Sequence, residues 1–590
     1  MIIEGGIAML LETIQGPAAL RKLSLTALTQ LAQEIRTVLL QKLSITGGHT
    51  GPNLGVVELT IALHTVFETP IDQLIFDVSH QAYVHKMLTG RAQAFIDPAH
   101  YADVSGFTDP QESLYDLFAV GHTSTSLALA SGVAKARDLQ AEHYNVVAVI
   151  GDGALSGGLA YEGLNNIVAQ GTNTIVIVND NERSIAENHG GLYGNLQALR
   201  VTQGQAPNNF FKALGFDYHY LEAGNDLAAL IPALQQIKDT PRPVLLHVHT
   251  QKGKGYALAE QQPEKFHHGG PFDLATGAAL APKPALTYSS LTADFMLQKM
   301  AQDPKVVALN AGAPMLLFTP AQRRQAGAQF VDVGIAEQQA ATMTTGLARN
   351  GAKPVWAVLS SFMQRSFDQI SHDLALNDLP GTILVYGASV HGKNEQSHLG
   401  IFDIPFLSHI PNLIYLAPTT QHEYLAMLDW AIDQTGHPVA IRVPVGPVIA
   451  GPIDETDYQA GLKNQITQQG TQVALFGVGN FYQLAVAVAQ ALFDQAGIRP
   501  TVINPKLISD VDATILSQLP AQHQLVVTLE DGILSGGYGQ MVASYLGNVP
   551  IKVQNYGLAK TFPDRFDAEQ LLAAQGLTVP NIVQHILAAL

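Results

Sequence analysis

The chain of 590 residues has no cysteine, only two tryptophans, and just 32 lysines and arginines against 49 aspartates and glutamates. Without cysteine there is no disulfide, no thiolate metal ligand and no cysteine nucleophile. A net charge of −17 argues against a general nucleic-acid surface, although a helix N-terminus or a metal ion holds phosphate even within an acidic protein. The opening stretch MIIEGGIAMLLETIQGP lacks a basic segment and carries Glu4 and Glu12, so no signal peptide is expected. No run long enough to span a bilayer is apparent either. The expectation is a cytoplasmic enzyme that engages neither membrane nor nucleic acid. What the chain has in plenty is apolar residues, 47%, in a length that exceeds one core and predicts two to four well-packed domains.

Short β-rich runs alternate with amphipathic stretches throughout, which predicts an α/β fold of doubly wound, mostly parallel sheets. Apolar runs at 75–78, 145–150, 174–178 and 244–248 belong to a first block, 1–280. A linker-like stretch, ATGAALAPKPALTYSS (275–290), follows. Runs at 306–310, 354–359, 381–387, 413–418 and 438–444 form a second block, 281–455. After the polar GPIDETDYQAG, runs at 471–479, 500–505, 524–531 and 550–557 form a third, 456–590.

The most informative stretch is 145–181. NVVAVI leads into Gly151-Asp152-Gly153, a helix is predicted over roughly 157–169, and TIVIV leads into Asn179-Asp180-Asn181. A right-handed crossover puts two such strands side by side with their carboxyl ends together, where ligands of α/β sheets bind. Asp152 and Asn181 both offer hard oxygen, which suits Mg²⁺ or Ca²⁺ better than zinc. Two side chains leave positions open for ligand phosphates, and the glycines and the following helix N-terminus admit an anion. The reading is a metal-bridged diphosphate site. The competing one is an ordinary Gly-Asp-Gly turn.

With these residues in place, the chain resembles the 1-deoxy-D-xylulose-5-phosphate synthases, a branch of the transketolase-like thiamine diphosphate (ThDP) enzymes, over nearly its full length. The resemblance is carried by GGHTGPNLGVVELTIALHTVF (47–67), FDVSHQAYVHKMLTGR (76–91), LFAVGHTSTSLALASG (117–132), IGDGALSGGLAYEGLNN (150–166), NDNERSIAEN (179–188), FVDVGIAEQ (330–338), SSFMQRSFDQISHDLALNDLP (360–380) and LEDGILSGGYGQ (529–540). It implies pyrophosphate-binding, pyrimidine-binding and C-terminal domains in a homodimer, with ThDP and Mg²⁺ as cofactors. Pyruvate and D-glyceraldehyde 3-phosphate are the implied substrates, and the implied setting is isoprenoid biosynthesis. By resemblance, Mg²⁺ falls to Asp152, Asn181 and the backbone carbonyl of Arg183. His80, Gly153, Ala154 and the turn Gly121-His122-Thr123-Ser124 line the cofactor, and Phe362 stacks on its pyrimidine. Glu337 is the acid that promotes the imino tautomer, against an alternative as a plain helix-start glutamate. His49, His267 and His398 are the implied proton-transfer groups. Arg365 and Arg442 are the implied phosphate clamps, with structural ion pairs as the alternative.

The departures from the resemblance cluster around substrate. Tyr386-Gly387-Ala388-Ser389 stands where Asp-Arg-Ala-Gly is usual, Leu359 replaces a tyrosine, Asn394 an acid, Val445 an arginine and Gln339 a histidine, and the loop 189–211 looks short. Lys393 is the nearest replacement for the missing charge. These changes leave two other readings open: a carboligase with a different donor or acceptor, and a catalytically silent ThDP-binding subunit.

Overall fold

The computed structural model describes residues 9–281, 284, 286–390 and 393–590, with backbone alone for 393 and 394. The chain forms two compact units, residues 1–283 with 334–336, and residues 284–333 with 337–590.

The first unit is built on β1 (Gln73–Phe76), β2 (Val146–Gly151), β3 (Ile175–Asp180), β4 (Asp217–Leu221) and β5 (Val244–His249). They form one parallel sheet in the order β1-β2-β3-β5-β4. Continuous apolar runs in β2 and β3 reflect burial on both faces. Val147, Val149, Ile175 and Ile177 join one core with the helices Leu25–Thr46, Val57–Val66 and Leu227–Ile237. Their neighbours Val146, Ala148, Ile150, Val176 and Val178 join a second core with the helices Ser126–Leu139 and Gly158–Gln170. A side chain at Gly163 would lie 2.6 Å from Leu127 Cβ, so that glycine sets how closely those two helices pack. The predicted crossover helix is thus Gly158–Gln170, ended by Gly171 in the left-handed region. The segment read as a short loop, 189–211, holds the helix Gly191–Val201 with Leu196 and Leu199 buried.

The second unit contains β6 (Val306–Asn310), β7 (Phe330–Asp332), β8 (Lys353–Leu359), β9 (Thr382–Tyr386), β10 (Lys393–Asn394), β11 (Ile414–Leu416) and β12 (Val439–Arg442). It continues with β13 (Gln465–Gln468), β14 (Gln472–Gly477), β15 (Thr501–Asn504), β16 (His523–Ile533), β17 (Lys552–Leu558) and β18 (Phe566–Asp567). One parallel sheet runs β11-β12-β9-β8-β6-β7; another runs β13-β15-β14-β16-β17, parallel except for β13, and β10 pairs with β18. Trp356, Ile383 and Tyr415 of the former share one core with Phe476, Ile503 and Val526 of the latter. That common core is why 284–333 and 337–590 hold together across the strand-free stretch around 456.

Among the described residues one stretch, 568–589, has the length and hydropathy to cross a bilayer, which the sequence reading overlooked. In the fold it is two helices, Ala568–Ala574 and Val579–Ala589, parted at left-handed Gly576, with Ile582, Val583 and Ile586 in a core.

Candidate active site

In the first unit the two predicted strand ends converge. β2 and β3 are adjacent and parallel, with Gly151 opposite Asn179, so Asp152 and Asn181 leave the sheet on the same edge. Asp152 is 1% exposed, and its Oδ2 accepts a 2.6 Å hydrogen bond from Asn188 Nδ2. Burial first, then repulsion from Asp180, push its carboxyl up. Asp180 itself stays low despite its burial, because His247 (2.8 Å) and Arg200 donate to it. Asn181 Oδ1 is buried and has no hydrogen-bond partner among the described residues. A buried carboxyl just past β2 and an unanswered amide oxygen just past β3 are hard donors of the kind that suits a divalent cation. Arg183 follows on an exposed turn, its backbone bridged to Glu187. Among the described residues there is no cluster of three or more His, Asp or Glu side chains able to hold a metal.

The anion cradle is tied together by backbone. Ser124, at φ +71, donates its N–H to Asp77 Oδ1 (2.7 Å), and Ser126 N–H donates to Asp77 Oδ2 (3.0 Å). Ser124 Oγ donates to the Ala154 carbonyl (2.7 Å), which joins the Gly121–Ser124 turn to the Gly-Asp-Gly loop. A Cβ at Gly153 would lie 2.6 Å from Ser184 Cβ, and one at Gly157 2.2 Å from Ser124 Oγ. Both positions need glycine for close approach. His122 and Thr123 lie half-buried in the turn.

Beyond β1 the chain reverses through Val78 and Ser79, both left-handed (φ +59 and +64). For a β-branched residue this is a costly conformation, and it presents His80. The ring of His49 lies 5.0 Å from that of His80 and 5.7 Å from that of His267. Fully buried Asn53 donates to both the His49 and the His80 carbonyls at 2.8 Å. Lys252 Nζ donates to the Ser184 carbonyl and to His267 Nδ1 (3.0 Å), leaving the His267 proton on Nε2. Burial, then Lys252, hold His267 well below the usual imidazole range, and burial pushes Lys252 down to about 8. Sequence reasoning missed Asp77, Asn53, Lys252 and His268, whose ring sits 4.5 Å from that of His49; its place next to His267 was the available signal for the last.

In the second unit Glu337 opens the helix Glu337–Arg349 and is 4% exposed. Burial raises its carboxyl and Arg365, with Nη1 at 3.6 Å, opposes that rise. Phe362 packs edge-on against His398 at 5.4 Å, and His398 Nδ1 pairs with Ser397 Oγ at 2.9 Å. Arg442 is enclosed, 2% exposed: its Nε donates to Asp403 Oδ2 (2.7 Å), its Nη2 to Asp403 Oδ1 (3.3 Å) and its Nη1 to Asp531 Oδ1. The structural ion pair, not the phosphate clamp, is what its surroundings support. The side chains of Lys393 and Asn394, and Gly392, lie outside the described residues.

Residues 284–448 match the pyrimidine-binding domain of transketolase and residues 462–582 the transketolase C-terminal domain. The class is therefore that of transketolase-like, ThDP-dependent transferases. Residues 11–206 and 200–250 match the family described as 1-deoxy-D-xylulose-5-phosphate synthase. Proteins of that name from Symbiobacterium thermophilum (40% identical, covering 98% of this chain and 94% of their own) and Pelotomaculum thermopropionicum (38%, 98% and 96%) align almost end to end. Among solved structures, a transketolase from Leishmania mexicana is 16% identical over 95% of this chain and 97% of its own, with a TM-score of 0.43. The chain belongs to the 1-deoxy-D-xylulose-5-phosphate synthase family.

Proposed function

We propose that the protein joins pyruvate to D-glyceraldehyde 3-phosphate with loss of CO₂, giving 1-deoxy-D-xylulose 5-phosphate, with ThDP and Mg²⁺ as cofactors and a homodimer as the working assembly. The observation that carries this reading is the pair of buried oxygens at the ends of β2 and β3, one on raised Asp152 and one on unpartnered Asn181. ThDP, when bound, supplies a thiazolium carbon that attacks a carbonyl and then accommodates the electron pair released with CO₂.

The chain's own residues have separate tasks. Asp152, Asn181 and the Arg183 carbonyl would hold the cation, while Gly153, Ala154 and the Gly121–Ser124 turn admit the diphosphate to bare backbone. Glu337 offers a buried carboxyl for an aminopyrimidine nitrogen, and Phe362 a ring face to stack on it. His49, His80 and His267 form a half-buried imidazole cluster suited to holding and moving protons at substrate oxygens, and His398 adds a further imidazole in the second unit. Arg365, whose side chain is 20% exposed, is the remaining phosphate candidate.

One observation favours a second reading, an acceptor other than the triose phosphate: Arg442 has its fork committed to Asp403 and Asp531. Mass spectrometry of products from pyruvate offered with phosphorylated and free aldehydes decides between them. The proposal expects CO₂ and 1-deoxy-D-xylulose 5-phosphate, both dependent on ThDP and Mg²⁺. Turnover only with unphosphorylated aldehydes establishes the second reading, and no CO₂ from pyruvate refutes both.

A further inference from the structure

Asn188 ends the stretch NDNERSIAEN and has no role assigned to it from sequence, yet it is held against Asp152 of the candidate cation site. Arg183 and Glu187 pair across a tight antiparallel bridge, and Ala186 is buried to 1% exposure. The chain is thereby turned back from the end of β3 toward the Gly-Asp-Gly loop. Asn188 Nδ2 reaches Asp152 Oδ2 at 2.6 Å across 36 positions of sequence.

That bond settles the amide's orientation. As a cation ligand Asp152 is ionised and only accepts, so the NH₂ group faces Asp152 and the oxygen faces away. Asn188 Oδ1 is then buried with no hydrogen-bond partner among the described residues, as is Asn181 Oδ1. It lies over the glycine loop, 3.5 Å from where a Gly153 Cβ would stand. Two buried amide oxygens, one just past the end of β3 and one over the Gly-Asp-Gly loop, thus lack donors among the described residues. A Mg²⁺ ion keeps several of its waters, and such waters are donors only, which is what Asn188 Oδ1 lacks.

Resting on the reading of Asp152 and Asn181 as cation ligands, we infer that Asn188 is a positioning residue for the divalent ion: its NH₂ fixes the Asp152 carboxylate, and its oxygen accepts from a water on the ion. Outer partners of this kind change metal affinity about 10–100-fold when removed.

The test is direct Mn²⁺ binding to the full chain in the presence of ThDP, read as loss of the free-ion electron paramagnetic resonance signal. Wild type, Asn188→Leu (similar volume, no polar group) and Asp152→Asn are compared, with circular dichroism melts to confirm folding. The expected result is tight binding by wild type and a dissociation constant raised tenfold or more in Asn188→Leu. Asn188→Ala serves as a second variant with the same expected loss should the leucine variant misfold. Affinity within twofold of wild type in a folded Asn188 variant, alongside a large loss in Asp152→Asn, overturns the role of Asn188 and leaves the cation site standing. Absence of Mn²⁺ binding by wild type overturns the site and the role together.

Discussion

Replacing Arg442 with methionine separates a framework role from a substrate role. In the folded chain this one guanidinium stands between Asp403 and Asp531, and all three residues are at most 2% exposed. Removing the cation of a buried pair costs about 3–5 kcal/mol, because a desolvated charge is left behind. Here two carboxylates are left. Each keeps neutral donors: Tyr415 OH for Asp403, Ser389 Oγ and Asn480 Nδ2 for Asp531. These moderate the penalty without neutralising it, so the upper half of that range, about 4 kcal/mol, is expected. That is a large share of a typical total of about 5–15 kcal/mol. The chain's two tryptophans, Trp356 and Trp430, both lie in the second unit, so urea unfolding followed by their fluorescence reads the affected part directly. Adding Asp403→Asn and Asp531→Asn to Arg442→Met is expected to restore much of the loss. A single variant within about 1 kcal/mol of wild type, with KM raised for glyceraldehyde 3-phosphate alone by the roughly tenfold to hundredfold of a lost charged contact, would refute this reasoning.

Three further outcomes are expected. Glu337→Ala should retain ThDP in calorimetric titration and lose product formation by orders of magnitude; near-normal turnover would remove Glu337 from the chemistry. Glu530, fully buried and bonded to the Tyr538 and Gly539 N–H groups, is pushed by burial up to about 7. Because its folded pKa lies above the unfolded value, its contribution is fully present below the ordinary carboxyl range near 4.5 and is lost as pH rises through 7. Wild-type stability from tryptophan fluorescence should thus fall across that window more steeply than that of Glu530→Gln, and parallel profiles would contradict it. Gly153→Ala, whose new methyl meets Ser184 at 2.6 Å, should lower stability by about 1–3 kcal/mol through overpacking and weaken ThDP binding; an unchanged melt would show that the loop gives way.

The sequence revealed β2 and β3 because strands buried on both faces are written as unbroken β-branched runs. It hid β4, DYHYL, because this edge strand is mostly half-buried and mixes polar with aromatic residues. The first apolar run was read as 75–78, whereas the strand ends at Phe76 and Val78 is already left-handed; side-chain type alone gives no sign of a β-branched residue forced to positive φ. The linker was read through to Ser290, but Thr287 and Ser290 form a capping box that starts a helix at Tyr288. At the candidate site, Asp152 and Asn181 were legible because one strand–helix–strand unit holds both. Asp77 and Asn188 were not, since their roles exist only through contacts 47 and 36 residues away. Arg442 shows the limit from the other side. Its local motif pointed to phosphate, while the carboxylates that claim it lie 39 and 89 positions off.

The apolar layer shared by β6–β12 and β13–β17 has a bearing on how such chains exchange parts. A hybrid joined to a relative near residue 456 would press two unmatched surfaces together at Trp356, Tyr415, Phe476 and Val526, however polar the junction itself. Chimeras that carry residues 284–590 as one inherited block keep those surfaces with the partners they were shaped against.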